Sequence, residues 1–443
     1  MKHLLLASLL LLGAGPVLAD SASTSTSNLE SPPSPLDLKG ALGYALDHNY
    51  AILQARETIR LQEGVIVQVR SQSIPNVNAA GEYQRNAAEI SQTFPASNSL
   101  YSVSLKATQV LFAGGGVRSA IQSAKFNRDA AAFDLQTAID AALLDVRTKF
   151  YNVVLTRDQI KVQEENIGLF QHQLSDSKNQ FEAGTVSNFE VLRAKVSLAN
   201  AQPMLITARN SYRIAIEQLR QALGTRSKEP FPEVVGDLGF QFQDFDGAAA
   251  IEAAHAHRPE LQKFEKLESA SEESVTTARS SYYPNLQAFA GYQWGGFGYT
   301  DSSLGDVSAN GWLFGLQSSW AIFDGRSTAG RVHQAKSLLE SARLSKASEY
   351  LEVDIEVRQA LSSLDEAREL VTASRQVIEE ATEALRLADA KFHAGSATQL
   401  DVLTSQVSLT QSKTDQLTAS YNYLVALSNV RKAVGMSDAL VTP

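Results

Sequence analysis

Four stretches of this chain alternate between apolar and polar residues with a period of two, the pattern of a strand with two unlike faces. They run from Asn76 to Gln84, Tyr101 to Phe112, Asn285 to Trp294 and Trp312 to Phe323. In the second, Tyr101, Val103, Leu105 and Ala107 share one parity, while Ser102, Ser104, Lys106 and Thr108 share the other. The third sets Leu286, Ala288, Ala290, Tyr292 and Trp294 against Gln287, Phe289, Gly291 and Gln293. The fourth offers Trp312, Phe314, Leu316, Trp320 and Ile322 on one face, interrupted by Ser318. The charges in these strands, Glu82 and Lys106, both fall on the polar parity. Two surroundings produce such alternation: lipid on one side with water on the other, or a soluble core beneath an antiparallel sheet. About ten residues is enough for a tilted strand to cross a hydrocarbon layer.

Elsewhere the period changes to seven. From Ile139, the positions Val146, Val153, Ile160, Ile167, Leu174 and Phe181 recur in register, and so do Tyr350, Val357, Leu364, Val371, Ile378, Leu385 and Phe392. Heptads this long predict coiled-coil packing. One helix from Arg118 to Glu182 would be roughly 100 Å long at ~1.5 Å per residue. A returning helix is predicted over Phe189 to Leu223, kinked or broken at Pro203. Glycines mark the strand-to-helix corners at Gly114-Gly115-Gly116 and Gly325. A phosphate-binding loop is not indicated, because no lysine and Ser/Thr follow the triple glycine at the required spacing.

The pattern is itself repeated. Pro75-Asn76-Val77 and Tyr83-Gln84 return as Pro284-Asn285-Leu286 and Tyr292-Gln293, an offset of 209. Phe112, Phe181, Ala183-Gly184, Val191-Leu192, Tyr212 and Gly224 return at an offset of 211 as Phe323, Phe392, Ala394-Gly395, Val402-Leu403, Tyr423 and Gly435. The chain therefore reads as a tandem duplication, residues 36–232 and 233–443, with its seam near Pro230 to Glu233.

Composition alone would suggest an ordinary soluble protein: 443 residues, 44% hydrophobic and 20% charged. Zero cysteines exclude a disulfide scaffold and thiolate chemistry, and make lipid attachment through an N-terminal cysteine unexpected. The net charge of −9 is opposite to what nucleic acid would require. The N-terminus changes the address. Lys2 and His3, the apolar run Leu4 to Leu12 and Val17-Leu18-Ala19 predict a secretory signal over residues 1–19. A polar, Pro-rich flexible leader follows over residues 20–35. No later stretch approaches ~18 apolar residues, so an exported chain that enters a membrane must do so by strands. Four strands cannot close a barrel, and an open edge cannot face lipid. Two copies would give eight strands around a filled interior, whereas three give twelve and leave room for water. A trimer is expected, and Ser102, Ser104, Gly291 and Gly315 on the polar parity suit an open bore. His255 and His257 would point to different faces of a helix, and the other histidines are scattered, so no metal, cofactor or catalytic constellation is expected.

Several motifs resemble those of the TolC-type outer membrane efflux proteins. They are LDLKGALGYALDHNY (Leu36 to Tyr50), IPNV (Ile74 to Val77), VLFAGG (Val110 to Gly115), FEAGTVSNFEVL (Phe181 to Leu192) and FHAGSATQLDVL (Phe392 to Leu403). The resemblance implies a mixed α+β membrane protein: a trimer with a twelve-stranded outer membrane barrel continued by a periplasmic barrel of long helices. It also implies a passive exit duct that meets a periplasmic adaptor and an inner membrane transporter. The family's docking role carries over to Ala183, Gly184, Thr185, Ala394, Gly395 and Ser396, which also read simply as helix-ending turns. Asp401 matches an aspartate of the family's periplasmic entrance, and also reads as an acid favourably placed in a helix's first turn. A threefold ring of such aspartates would raise their pKa. Glu190 is its counterpart in the first half, and the arginine that would pair with it is missing. Phe392, Ala397 and Thr404 stand where the family's entrance carries other residues, so most of its closing lock is absent: either other contacts, with Lys391 or His393 as candidates, hold the entrance, or it rests more open. A soluble periplasmic coiled-coil partner or adaptor is the other reading of the chain.

Overall fold

The structure, a computed structural model, describes residues 32–85, 87, 97–225, 230–299 and 305–436. The expected signal peptide and most of the leader lie outside the described residues. Helices α1 (Leu38–His48) and α2 (Tyr50–Arg70) lead to strands β1 (Asn76–Arg85) and β2 (Ser97–Ala113), then to α3 (Gly116–Glu182) and the returning α4 (Asn188–Leu223). The same order follows as α5 (Gly247–His257), α6 (Pro259–Arg279), β3 (Asn285–Tyr299), β4 (Asp306–Ser319), α7 (Ser327–His393) and α8 (Gln399–Ala433). Both α3 and α7 contain 67 residues. The expected break at Pro203 is absent, because α4 continues through it as one helix.

Local chemistry starts the short helices. Asp37 accepts from the Gly40 N–H at 2.8 Å, Asn49 from Ala51 at 2.9 Å and Asp246 from Ala249 at 3.1 Å, each satisfying an orphan donor of a first turn. Asn49 also donates its amide to the Ala222 carbonyl at 2.7 Å, which fastens the end of α4 to the α1–α2 turn. Two matching cores result. One gathers Leu42, Val146, Phe150, Val153, Leu219 and Leu223 from α1, α3 and α4. The other gathers Leu261, Val353, Val357, Leu364, Val371 and Tyr423 from α6, α7 and α8. Heptad positions are thus fully buried in the middle of each long helix, while Phe181 near the tip is exposed. Across the seam, Leu36 N–H donates to Glu233 and Val235 N–H to Leu36, both at 2.9 Å.

The four strands form one antiparallel sheet in the order β1-β2-β3-β4. Its register places Val77, Ala79 and Gly81 opposite Ala107, Leu105 and Val103. These residues stand opposite Ala290, Tyr292 and Trp294, which in turn pair with Phe314, Trp312 and Asn310. The apolar parities therefore merge into one continuous face, open to the surroundings, with Trp312 80% and Phe314 84% exposed in the single chain. Glu82 and Lys106 lie on the opposite face.

Strand limits differ from expectation in all four strands. β2 starts at Ser97 and β3 runs on to Tyr299, so the sheet includes the glycine-rich Gly295 to Gly298. Gly296 allows a close approach there: a Cβ on it would lie 2.2 Å from the Val307 carbonyl and 2.6 Å from the Tyr101 hydroxyl. β4 starts at Asp306 and ends at Ser319, and Trp320 to Phe323 are not strand. Ser319 stands opposite Asn285, the first residue of β3, so the chain beyond it has no β3 residue to pair with, and the Trp320 indole N–H instead donates to the Tyr282 carbonyl at 3.0 Å. The longer strands also take in two charges, Arg85 and Asp306, at the end distant from the helices.

Packing of the long elements reveals an asymmetry. α6 lies against both α3 and α7, whereas its repeat counterpart α2 lies against α3. On α7, Leu344, Leu351 and Ile355, spaced i, i+7 and i+11, form an exposed apolar stripe.

Candidate functional site: the hairpin tips and their entrance residues

At each tip the chain reverses through the same motif. Gly184 has φ +74°, and so does Gly395, the left-handed conformation that side chains disfavour. The Gly184 N–H donates to Phe181 and the Thr185 N–H to Gln180, both at 2.9 Å. In the second tip Gly395 N–H donates to Phe392 at 3.0 Å and Ser396 N–H to Lys391 at 2.9 Å. These paired bonds are Schellman terminations that satisfy the last carbonyls of the two long helices. Thr185 and Ser396 add hydroxyl donors to those same carbonyls at 2.9 and 3.2 Å. Nothing lies within 4 Å of a Cβ on either glycine, so the tips face open space and φ alone demands glycine.

The residues expected at an entrance are dispersed in the single chain rather than gathered. Asp401 occupies the first turn of α8, where its Oδ2 accepts from the Thr398 N–H at 2.7 Å and the Thr398 hydroxyl at 2.8 Å. The Asp401 N–H donates back to Thr398 Oγ1 at 3.4 Å, completing a capping box. These bonds, helped by nearby Lys391, hold the Asp401 carboxyl below its ordinary pKa. In the single chain, therefore, its environment favours the anion. Thr404 is exposed, whereas Phe392 turns into a cleft of about 320 Å³ shared with Leu169, His172, Val402 and Gln406. His393 pairs with Asp389 at 3.6 Å within its own helix.

For Glu190 the missing partner is supplied locally. Arg193, one turn on, donates to its Oε2 at 3.4 Å and stacks over the Phe189 ring at 4.9 Å. Both groups are half-exposed, so the pair adds on the order of 1 kcal/mol or less. The i,i+3 spacing of Glu190 and Arg193 is the sequence signal that would have revealed it.

What sequence reasoning missed is the polar seam joining the hairpins. Gln399 donates to Ser177 Oγ at 2.9 Å, and Gln406 donates to the Asn166 main chain and side chain at 3.3 and 3.2 Å. Lys413 reaches Glu165 at 2.7 Å. Residues 399, 406 and 413 are themselves seven apart, a polar stripe in a coiled-coil register.

A sheet with one lipid-compatible face, continued by two helical hairpins roughly 100 Å long, defines the class of outer membrane channel subunits. The chain belongs to the outer membrane efflux protein family, whose model matches residues 41–225 and again 250–436. Outer membrane protein TolC of Escherichia coli K12 is 24% identical over 317 residues, 68% of this chain. The match spans 62% of TolC, less than two thirds of that relative. Outer membrane efflux protein BepC of Brucella suis biovar 1 is 24% identical over 406 residues, 88% of this chain and 84% of BepC. Among solved structures, the Campylobacter jejuni CmeC outer membrane channel shares the fold with a TM-score of 0.77 at 16% identity, over 90% of this chain and 85% of CmeC.

Proposed function

We propose that three copies of this chain close into an outer membrane exit duct for efflux or secretion. The carrying observation is the duplication combined with the sheet. Within one chain, β2 of the first repeat pairs with β3, the first strand of the second. The same junction one repeat later would pair β4 with β1 of a neighbouring copy, and would place α2 of that copy on the bare stripe of α7. Such head-to-tail contacts generate rings. Three copies give twelve strands, enough for a water-filled bore with the apolar face toward lipid. The exposed aromatic face supports lipid contact over a soluble sheet, since soluble proteins seldom expose so much contiguous apolar surface.

The hairpins then extend into the periplasm. Their tips, Ala183 to Thr185 and Ala394 to Ser396, receive a periplasmic adaptor, and an inner membrane transporter supplies the energy. The duct itself performs no chemistry and needs no cofactor. Family membership and the open, matching tips support this half of the reading.

Transferring the β2–β3 register to the boundary pairs Gln317 with Glu82 and Ser318 with Gly81 of the neighbour. The chain has no cysteine, so introduced pairs report cleanly. Oxidised Gln317→Cys/Glu82→Cys protein in outer membrane fractions is expected to run as a covalent trimer, and Gln317→Cys/Asn78→Cys is not. Monomers alone from both pairs would remove the ring, and a ladder ending at another number would replace the trimer.

A further inference from the structure

Lys106 lies on the polar face of β2, seven residues from the strand end that joins the helices and nine from the other. Its cross-strand partner is Gly291, and a Cβ there would lie 2.7 Å from the Leu105 carbonyl and 3.2 Å from Lys106 Cα. The Lys106 ammonium sits 4.6 Å from the centroid of Phe289, a diagonal neighbour on β3. Phe289 in turn faces Gly315 on β4, where a Cβ would come within 2.9 Å of the ring. Lysine, ring and glycine thus form a row across three strands: the glycine lets the phenyl lie against the wall, and the phenyl carries the cation.

Three features argue that this row serves passage. An amine in mid-strand is unusual on a lipid-facing sheet, and its face is the one directed away from lipid. Glu82, the other charge on that face, is opposite Ser102, four residues further along β2 or roughly 13 Å at ~3.3 Å per residue, so it makes no direct ion pair with the amine of its own chain. Moreover, the duplication does not preserve the pair: the repeat counterparts of Lys106 and Phe289 are Gln317 and Ala80. Strand pairing therefore does not require it.

Resting on the three-copy duct described above, we propose that Lys106, held on Phe289, forms a ring of three positive charges in the barrel bore that favours anionic solutes. Charged rings of this kind set ion preference in a narrow aqueous pore. They act through local potential, which falls off over a Debye length of about 8 Å at physiological salt.

Reversal potentials of purified channels in planar bilayers under a potassium chloride gradient test the ring. Lys106→Gln is expected to raise the potassium-to-chloride permeability ratio at least about twofold, and Lys106→Glu further, through the sign of the local potential. Asn78 of β1 stands opposite Lys106 and shares its face, so adding Asn78→Lys to Lys106→Gln is expected to restore the original ratio. An unchanged ratio in Lys106→Gln and Lys106→Glu would overturn the ring. A shift that Asn78→Lys does not reverse would assign Lys106 to packing and equally end the proposal. Absence of conductance from the wild-type protein would instead count against the duct.

Discussion

Gln406 of α8 and Asn166 of α3 are joined twice, Gln406 Nε2 donating to the Asn166 carbonyl at 3.3 Å and to its Oδ1 at 3.2 Å. Both residues are under 10% exposed, at 3% and 8%. The bonds cross from the second hairpin to the first, and the nearby apolar cluster of Phe170, Ala201 and Leu403 is small. Near the tips, polar pairing therefore sets the register that hydrophobic burial sets nearer the cores.

Removing one member leaves a buried amide unpaired. Asn166→Ala or Gln406→Ala is expected to cost about 1–3 kcal/mol of stability, and replacing both by Leu markedly less than the sum. Thermal unfolding of the four proteins in detergent measures the cycle, and additive losses would show that the amides act independently.

At the tips, conformation and docking can be separated by residue choice. Asn visits the left-handed region readily, whereas Val at φ +74° costs about 1–2 kcal/mol. Gly184→Asn and Gly395→Asn are expected to assemble and export normally. Gly184→Val or Gly395→Val is expected to assemble, because the tip is far from both cores, yet lose export. Export assays alongside trimer gels give the answer; normal export by the Val variants would separate the tips from docking.

Much of this architecture is legible in the sequence because side-chain periods are rigid. The parity of Tyr101, Val103 and Leu105 follows from the pleat, and these residues keep one face in the structure, opposite Gly296, Trp294 and Tyr292. Lengths are less legible. The extension of β3 past Trp294 depends on Tyr101 lying beside Gly296, and Trp320 to Phe323 look like strand until β3 is seen to begin at Asn285. Pro203 suggests a break that the neighbouring helix turns do not make. The tips were readable from their glycines, but the Gln406–Asn166 pair joins residues 240 apart, and no local pattern announces a partner at that distance.

Asp401 offers a contrast between cap and gate. The Thr398 amide and hydroxyl lower its folded pKa, so its contribution to stability is present above the ordinary carboxyl value of 3.8. That contribution is lost as pH falls through the depressed folded value. Asp401→Ala is expected to speed amide exchange in the first turn of α8 at neutral pH and to leave the wild-type rate unmatched until strongly acidic conditions. Bilayer conductance is expected to change only modestly, since the bonds of this carboxylate are made to its own helix. A several-fold rise in conductance would make Asp401 a latch.

Asp140 carries the opposite sign. It lies on α3, half-buried, with Gln136 donating to it at 3.0 Å and Glu260, Lys432 and Arg258 acting on it from α6, α8 and the α5–α6 junction. Arg258 is already committed, its side chain 4% exposed and paired with Glu260 at 3.0 Å and with Glu356. Burial, the largest influence, raises the Asp140 pKa above 3.8, with the hydrogen bond and the two cations opposing it. A carboxyl raised on folding supports stability below its unfolded pKa and loses that support as pH climbs through the folded value. At neutral pH the ionised Asp140 therefore weighs against the fold. Asp140→Asn keeps the shape and an acceptor for Gln136, and is expected to raise the melting temperature at pH 7 while the advantage shrinks toward pH 4. Melting curves in detergent across that range decide it. A lower melting temperature at pH 7 would mean that the Asp140 charge has a partner in the assembled ring.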